Sequence, residues 1–172
     1  MKPLYFLHGL EGSPQGTKGQ FLSQRFTQLI APFMSPDLNQ RLELLRSVIT
    51  EPAVLIGSSL GGLTALTLAN ESPELVLGMV LVAPVVGLYE DEDLSAEQKE
   101  RVGALVVPAG IPTWILAAKR DHLIPPESIQ DLVQRSPDRS QIHLDFFDDD
   151  HSMNAHLEEL AQAVTALLQR LA

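Results

Sequence analysis

Apolar residues in this chain gather into two kinds of stretch. Short blocks at 4–7, 53–56, 76–82, 113–118 and 141–147 are rich in Val, Ile, Leu and Phe, and turn-forming or charged residues bound them. Blocks of that length and composition predict strands, the near-continuous ones buried on both faces. Between them, apolar positions recur three and four residues apart. That spacing predicts helices over 17–30, 42–49, 60–70, 95–106, 126–134 and 153–171. Thr17 can cap the first helix, whose inner face would carry Phe21, Leu22, Phe26, Leu29 and Ile30. Ser95-Ala96-Glu97-Gln98 has the form of a capping box. A further short strand is expected within 32–36, where prolines interrupt it, and an acidic loop over 87–94.

Strands alternating with helices imply an α/β fold: a doubly wound, mainly parallel sheet of about six strands with helices on both faces. The crossovers should be right-handed. At 172 residues, 45% of them hydrophobic, the chain suits a single domain over 1–172 with one core. In open sheets of this kind ligands bind beyond the carboxyl ends of the strands, so functional residues should come directly after strands.

The residues at those positions are chemically specific. The 53–56 block runs without a linker into Gly57-Ser58-Ser59-Leu60-Gly61 and then into an apolar helix. A serine in so sharp a strand-to-helix turn sits in a strained conformation with its hydroxyl exposed, and Gly57 and Gly61 leave room where strand and helix approach. Asp121 comes after the 113–118 block and His151 after the 141–147 block. Serine, acid and histidine thus fall at one edge of the sheet, in that chain order. A serine hydroxyl is a weak nucleophile at neutral pH. It needs a base to take its proton and return it to the leaving group, the role for His151, and an acid to orient the imidazole, the role for Asp121. The oxyanion needs two preorganised donors. The backbone N–H groups of Leu60, after the nucleophile, and Leu10, after the His8-Gly9 turn, are placed to supply them.

Each position has rivals. Ser58 matches on composition, but only Ser59 has glycines at both minus two and plus two. Asp148, Asp149 and Asp150 match Asp121 on charge yet share the base's own loop, and that run also reads as solvated or cation-binding. His151 and His156 are not spaced i, i+4, the spacing that puts two metal ligands on one helix face. His122 adjoins Asp121 and reads as a surface residue. His143 alternates with Ile142 and Leu144 and should face away from the main core. His8 reads as a structural residue shaping the oxyanion turn.

The serine turn, Lys119-Arg120-Asp121-His122-Leu123-Ile124-Pro125 and Asp150-His151 together resemble the α/β-hydrolase superfamily. The opening, His8-Gly9-Leu10-Glu11-Gly12-Ser13-Pro14-Gln15-Gly16-Thr17-Lys18, is similar to that of small bacterial YqiA-type esterases. The resemblance implies a serine hydrolase cleaving carboxylic esters through an acyl-enzyme, with no metal or organic cofactor and a small-molecule ester as substrate. Two departures accompany it. The oxyanion strand begins within the first five residues, leaving no room for preceding antiparallel strands, and no cap domain fits after the 76–82 strand. A shallow, open acyl site is therefore expected, and with it short to medium acyl chains. A thioesterase, lyase or peptidase on the same fold, or a non-catalytic ligand-binding module, are the alternatives.

Charge and composition narrow the partners. The formal net charge is −10, which opposes binding to nucleic acid and to anionic membranes. Acidic residues at 90–93 and 148–150 should also disfavour strongly anionic substrates at the site mouth. The chain has no cysteine, which excludes disulfides and thiolate chemistry and fits a reducing compartment. No segment approaches the ~20 apolar residues of a membrane span, and the apolar N-terminal block is too short for a signal peptide, so a cytoplasmic location is expected. Oligomeric state is not encoded in these patterns.

Overall fold

The computed structural model describes residues 2–88 and 95–172. The elements run β1 (Leu4–Leu7), α1 (Thr17–Arg25), β2 (Leu29–Ile30), α2 (Leu38–Val48), β3 (Ala53–Ser58), α3 (Leu60–Glu71), β4 (Val76–Val82), α4 (Ala96–Ala104), β5 (Thr113–Ala118), α5 (Pro126–Arg135), β6 (Ile142–Phe147) and α6 (Leu157–Arg170). The strands form a six-stranded sheet in the order β2-β1-β3-β4-β5-β6, and every neighbouring pair is parallel. The chain therefore winds one way from β1 to β2 and the other way from β3 onward. The reversal opens a crevice between the carboxyl ends of β1 and β3.

The pleat sends alternate side chains to opposite faces. Leu4, Phe6, Val54, Ile56, Val80 and Leu116 pack with Leu22 of α1 and with Leu160, Val164 and Leu167 of α6. Tyr5, Leu7, Leu55, Met79, Leu81 and Ile115 face the other way, against Leu42 and Leu45 of α2, Leu66 of α3, and Ile129 and Leu132 of α5. Each such side chain removed from water contributes roughly 1.5–3 kcal/mol before entropy is counted. α3 is buried on every side from Gly61 to Ala69, which is why its sequence shows no polar face. Its two threonines turn their hydroxyls back to Leu60 O and Leu63 O, at 2.7 and 2.8 Å.

Several boundaries differ from the sequence expectation. α1 stops at Arg25, and the 17–30 helix does not continue: Leu29 and Ile30 are extended and pair with Leu4 and Tyr5 as β2. Edge pairing with β1 satisfies backbone groups that a longer helix would have used internally, and no strand forms at 32–36. Gly16, not Thr17, is the N-cap of α1, and it makes no side-chain cap bond. α2 begins at Leu38 because the Asp37 carboxylate accepts the Gln40 N–H at 2.9 Å. The capping box of α4 has both its bonds: Gln98 N–H donates to Ser95 Oγ at 3.2 Å and Ser95 N–H to Gln98 Oε1 at 2.8 Å. α6 starts only at Leu157, since Met153 is left-handed at φ 52° and a 3-10 turn, Asn154–His156, intervenes. Of the acidic loop over 87–94, residues 89–94 lie outside the described residues.

Candidate active site

β3 ends at Ser58 and α3 begins at Leu60, so Ser59 alone makes the reversal. Its backbone, at φ 55° and ψ −116°, lies in a region that costs an L-residue roughly 1–3 kcal/mol. Neighbours hold it there. Ser59 N–H donates to Val82 O at 2.9 Å, and Ser59 O accepts from Gly62 N at 2.9 Å, Leu63 N at 3.1 Å and Val85 N at 3.3 Å. The clasp from Val82 to Val85 includes Ala83, itself at φ 43°, a strained residue that nothing in the sequence pattern marks. The flanking glycines are required by contact: a Cβ on Gly57 would lie 2.4 Å from Gly61 O, and one on Gly61 would lie 1.8 Å from Leu7 O.

The other two side chains arrive from the far end of the sheet. Past the ends of β5 and β6 the parallel pairing continues, with Lys119 N–H donating to Phe147 O at 2.9 Å and Arg120 N–H to Asp149 O at 3.1 Å. These bonds hold the two adjoining loops side by side. His151 Nε2 stands 2.8 Å from Ser59 Oγ, and His151 Nδ1 stands 2.8 Å from Asp121 Oδ2. The second carboxylate oxygen of Asp121 accepts the N–H groups of Leu123 and Ile124, both at 2.9 Å. Asp121 is only 5% exposed. Burial pushes its carboxyl up, but the hydrogen bonds from His151, Ile124 and Leu123 outweigh burial and hold it below the ordinary carboxylate value. An ionised carboxylate only accepts, so Nδ1 of His151 carries the ring proton and Nε2 offers its lone pair to the Ser59 hydroxyl.

The aspartates of the base's own loop are committed elsewhere. Asp148 pairs with Arg120 at 2.8 Å. Asp150 accepts Ser152 N–H at 2.8 Å and the Ser152 hydroxyl at 2.6 Å. Asp149 departs from the reading of this run as a solvated loop: it is 7% exposed, accepts the N–H groups of Asp150 and Ala155 at 2.8 and 3.0 Å, and so shapes the loop that presents His151. Only the middle residue of an acidic triplet turns inward, a distinction charge alone does not make. From α1, Lys18 Nζ donates to Ser152 O and to Asn154 Oδ1, the latter at 3.1 Å, tying the base loop to the opening motif. His122 is exposed, and His143 is exposed with its ring stacked on Trp114 at 4.4 Å.

Across from this trio lies the turn after β1. His8 is 3% exposed. Met34 N–H donates to its Nε2 at 3.0 Å, so the proton sits on Nδ1, which donates to Gly9 O at 2.8 Å. With both nitrogens spent, His8 is a structural residue of the turn. A Cβ on Gly9 would stand 3.2 Å from Ser59 Cβ, so this turn lies directly against the serine. Among the described residues neither Leu10 N–H nor Leu60 N–H is used in a hydrogen bond within the chain. Both belong to segments that start where β1 and β3 end, at the reversal of strand order.

A parallel sheet of this order, with a serine alone at a strand-to-helix reversal and an Asp–His pair delivered from the last two strands, makes the chain an α/β-hydrolase-fold protein. It belongs to the uncharacterised protein family UPF0227, whose model matches residues 3–168, the family to which the YqiA-type opening pointed. A solved structure from Xanthomonas campestris, described as a hydrolase of the alpha/beta superfamily, superposes with a TM-score of 0.76 over 99% of both chains at 25% identity. Mouse alpha/beta hydrolase domain-containing protein 10 shares the fold, with a TM-score of 0.80 over 99% of this chain and 90% of that one at 18% identity. A curated relative, the pimeloyl-[acyl-carrier protein] methyl ester esterase of Neisseria meningitidis, is 41% identical over 64 residues, which are 37% of this chain and 20% of that protein. Among the described residues no helix is long and apolar enough to cross a membrane.

Proposed function

We propose that this chain is a serine carboxylesterase that cleaves esters of short to medium acyl chains through an acyl-enzyme on Ser59. The observation that carries the reading is the pair of 2.8 Å contacts that link Ser59 Oγ to His151 and His151 to Asp121. In the acylation step Ser59 Oγ attacks the ester carbonyl carbon as its proton passes to His151 Nε2. The imidazolium so formed lies against the ionised Asp121 carboxylate, which stabilises it without taking the proton. The oxyanion is received by Leu10 N–H and Leu60 N–H, the latter at the start of α3, where the helix dipole favours negative charge. Collapse of the tetrahedral adduct breaks the bond to the alcohol oxygen, and His151 returns the proton to it. His151 then deprotonates a water that attacks the acyl carbon, and the acid leaves with Ser59 restored.

An ester substrate is favoured over other acyl groups by the partial match to a methyl ester esterase. Leu10 and Leu123, at 60% and 54% exposure on the oxyanion turn and the acid's loop, offer apolar surface without enclosing it. A fluorophosphonate probe tests the chemistry: it should label the wild-type protein and leave Ser59→Ala unlabelled. Labelling that persists in Ser59→Ala, or a wild type that is never labelled, would reject the reading, the second result favouring a non-catalytic binding module.

A further inference from the structure

From α2, the side chain of Arg41, 0% exposed, reaches the turn after β1. Its guanidinium meets main-chain carbonyls: Nε donates to Ser35 O at 2.5 Å, Nη1 to His8 O at 2.7 Å and Nη2 to Gly9 O at 3.4 Å, with Met34 Sδ 4.0 Å from Nη1. Among the described residues no carboxylate pairs with it. Burying a cation without a counter-ion is unfavourable, and burial pulls its pKa down to about 10, still charged at neutral pH. A leucine would join α2 to the sheet with less desolvation, so packing alone does not account for a guanidinium here.

What the guanidinium holds is specific. Gly9 C=O and Leu10 N–H belong to one peptide plane, and the bond is trans, so fixing where the oxygen points fixes the N–H in the opposite direction. Gly9 O receives three donors: His8 Nδ1–H at 2.8 Å, Gly12 N–H at 3.2 Å and Arg41 Nη2–H at 3.4 Å. Of the three only Arg41 brings a permanent charge. A cation at the carbonyl end polarises the amide and makes its N–H a stronger donor. We infer that Arg41 is a positioning residue for oxyanion stabilisation: from α2 it orients and polarises the Gly9–Leu10 peptide so that Leu10 N–H meets the oxygen that becomes charged at Ser59. The inference rests on the esterase reading.

The experiment compares wild type, Arg41→Met and Arg41→Lys on p-nitrophenyl butyrate. Active sites are counted from the endpoint of fluorophosphonate labelling, and affinity is measured for a medium-chain trifluoromethyl ketone, whose adduct with a serine carries the same oxyanion. Arg41→Met should lower kcat per labelled site about 10- to 100-fold, with KM within about twofold, and weaken the ketone by a similar factor. Arg41→Lys, which keeps the charge and loses the fork, should fall between. A merely structural role would give fewer labelled sites that turn over and bind ketone as the wild type does, and that result overturns the inference. If Arg41→Met does not fold, the same two quantities in Arg41→Lys decide it, values within about twofold of wild type being the overturning result. A wild type inert to ester, probe and ketone overturns the esterase reading and this inference with it. A reactive wild type beside an equally reactive Arg41→Met overturns the inference alone.

Discussion

His8 shows how a single buried side chain makes the turn after β1 sensitive to acid. Burial lowers its pKa below the usual histidine value, the hydrogen bond to Gly9 opposes this, and the nearby Arg41 charge lowers it further. The unfolded chain therefore takes up a proton near pH 6.5 that the folded chain still refuses. Stability should fall as pH drops below that value, by at most about 1.4 kcal/mol per pH unit for this one proton, and level off once the folded His8 is itself protonated. Urea unfolding at pH 7.5 and 5.5 checks this. The wild-type midpoint should drop further than that of His8→Asn, which keeps an acceptor for Met34 N–H without a titrating ring. At this scale the sequence told part of the story. Ser59, Asp121 and His151 stand out because each comes directly after a strand, and the chain brings them within hydrogen-bonding distance of one another. Arg41 and Asp149 do not stand out: Arg41 falls just before the 42–49 block, among polar residues with no pattern that marks one as buried, and an aspartate between two others reads as part of a charged run. Their burial depends on neighbours distant in the chain.

The elements were legible in proportion to how much of their stability is local. The 113–118 and 76–82 blocks match β5 and β4 in full, because a buried parallel strand must be apolar at nearly every position. β2 escaped notice because two residues that pair only with the edge of β1 carry no periodicity of their own. The start of α2 is signalled by Asp37, a cap residue, but the polar run at 39–41 hides it. Two glycines make the same point about context by experiment. Gly61→Ala drives a Cβ to 1.8 Å from Leu7 O, backbone that cannot yield, whereas a Cβ on Gly103 in α4 meets nothing within 4 Å. Gly61→Ala should cost about 3 kcal/mol or more in urea unfolding, at the upper end for overpacking, and abolish probe labelling by parting β1 from α3. Gly103→Ala should be neutral or stabilising by up to about 1 kcal/mol, with labelling intact.

Over the whole molecule, two surface cavities among the described residues lie away from the Ser59–His151–Asp121 cluster. Cavities of about 280 and 450 Å³ open along α1, one against α6 and the other beside Leu29 and Ala31, and Ser59 lines neither. In the esterase reading, an acyl chain at Ser59 would rest on surface side chains such as Leu10 and Leu123. On a panel of p-nitrophenyl esters, kcat/KM should peak between acetate and about octanoate and fall toward palmitate; a steady rise from butyrate to palmitate would contradict the open site. Asp148 and Asp150, exposed beside His151, add to a net charge of −10, which in the esterase reading would favour departure of the carboxylate product.

Ser59, the proposed nucleophile, and its proposed amide donors come from β1, β3 and their loops, all before residue 88, while Asp121 and His151 come from the loops after β5 and β6. Between these two contingents the sheet is joined by the β4–β5 ladder, Met79 to Val82 against Thr113 to Leu116. A shear along that seam would move the serine away from its histidine while each flank kept its own strands paired; what resists it beside the ladder is α6, packed across both flanks, and the Lys18 tie from α1 to the base loop.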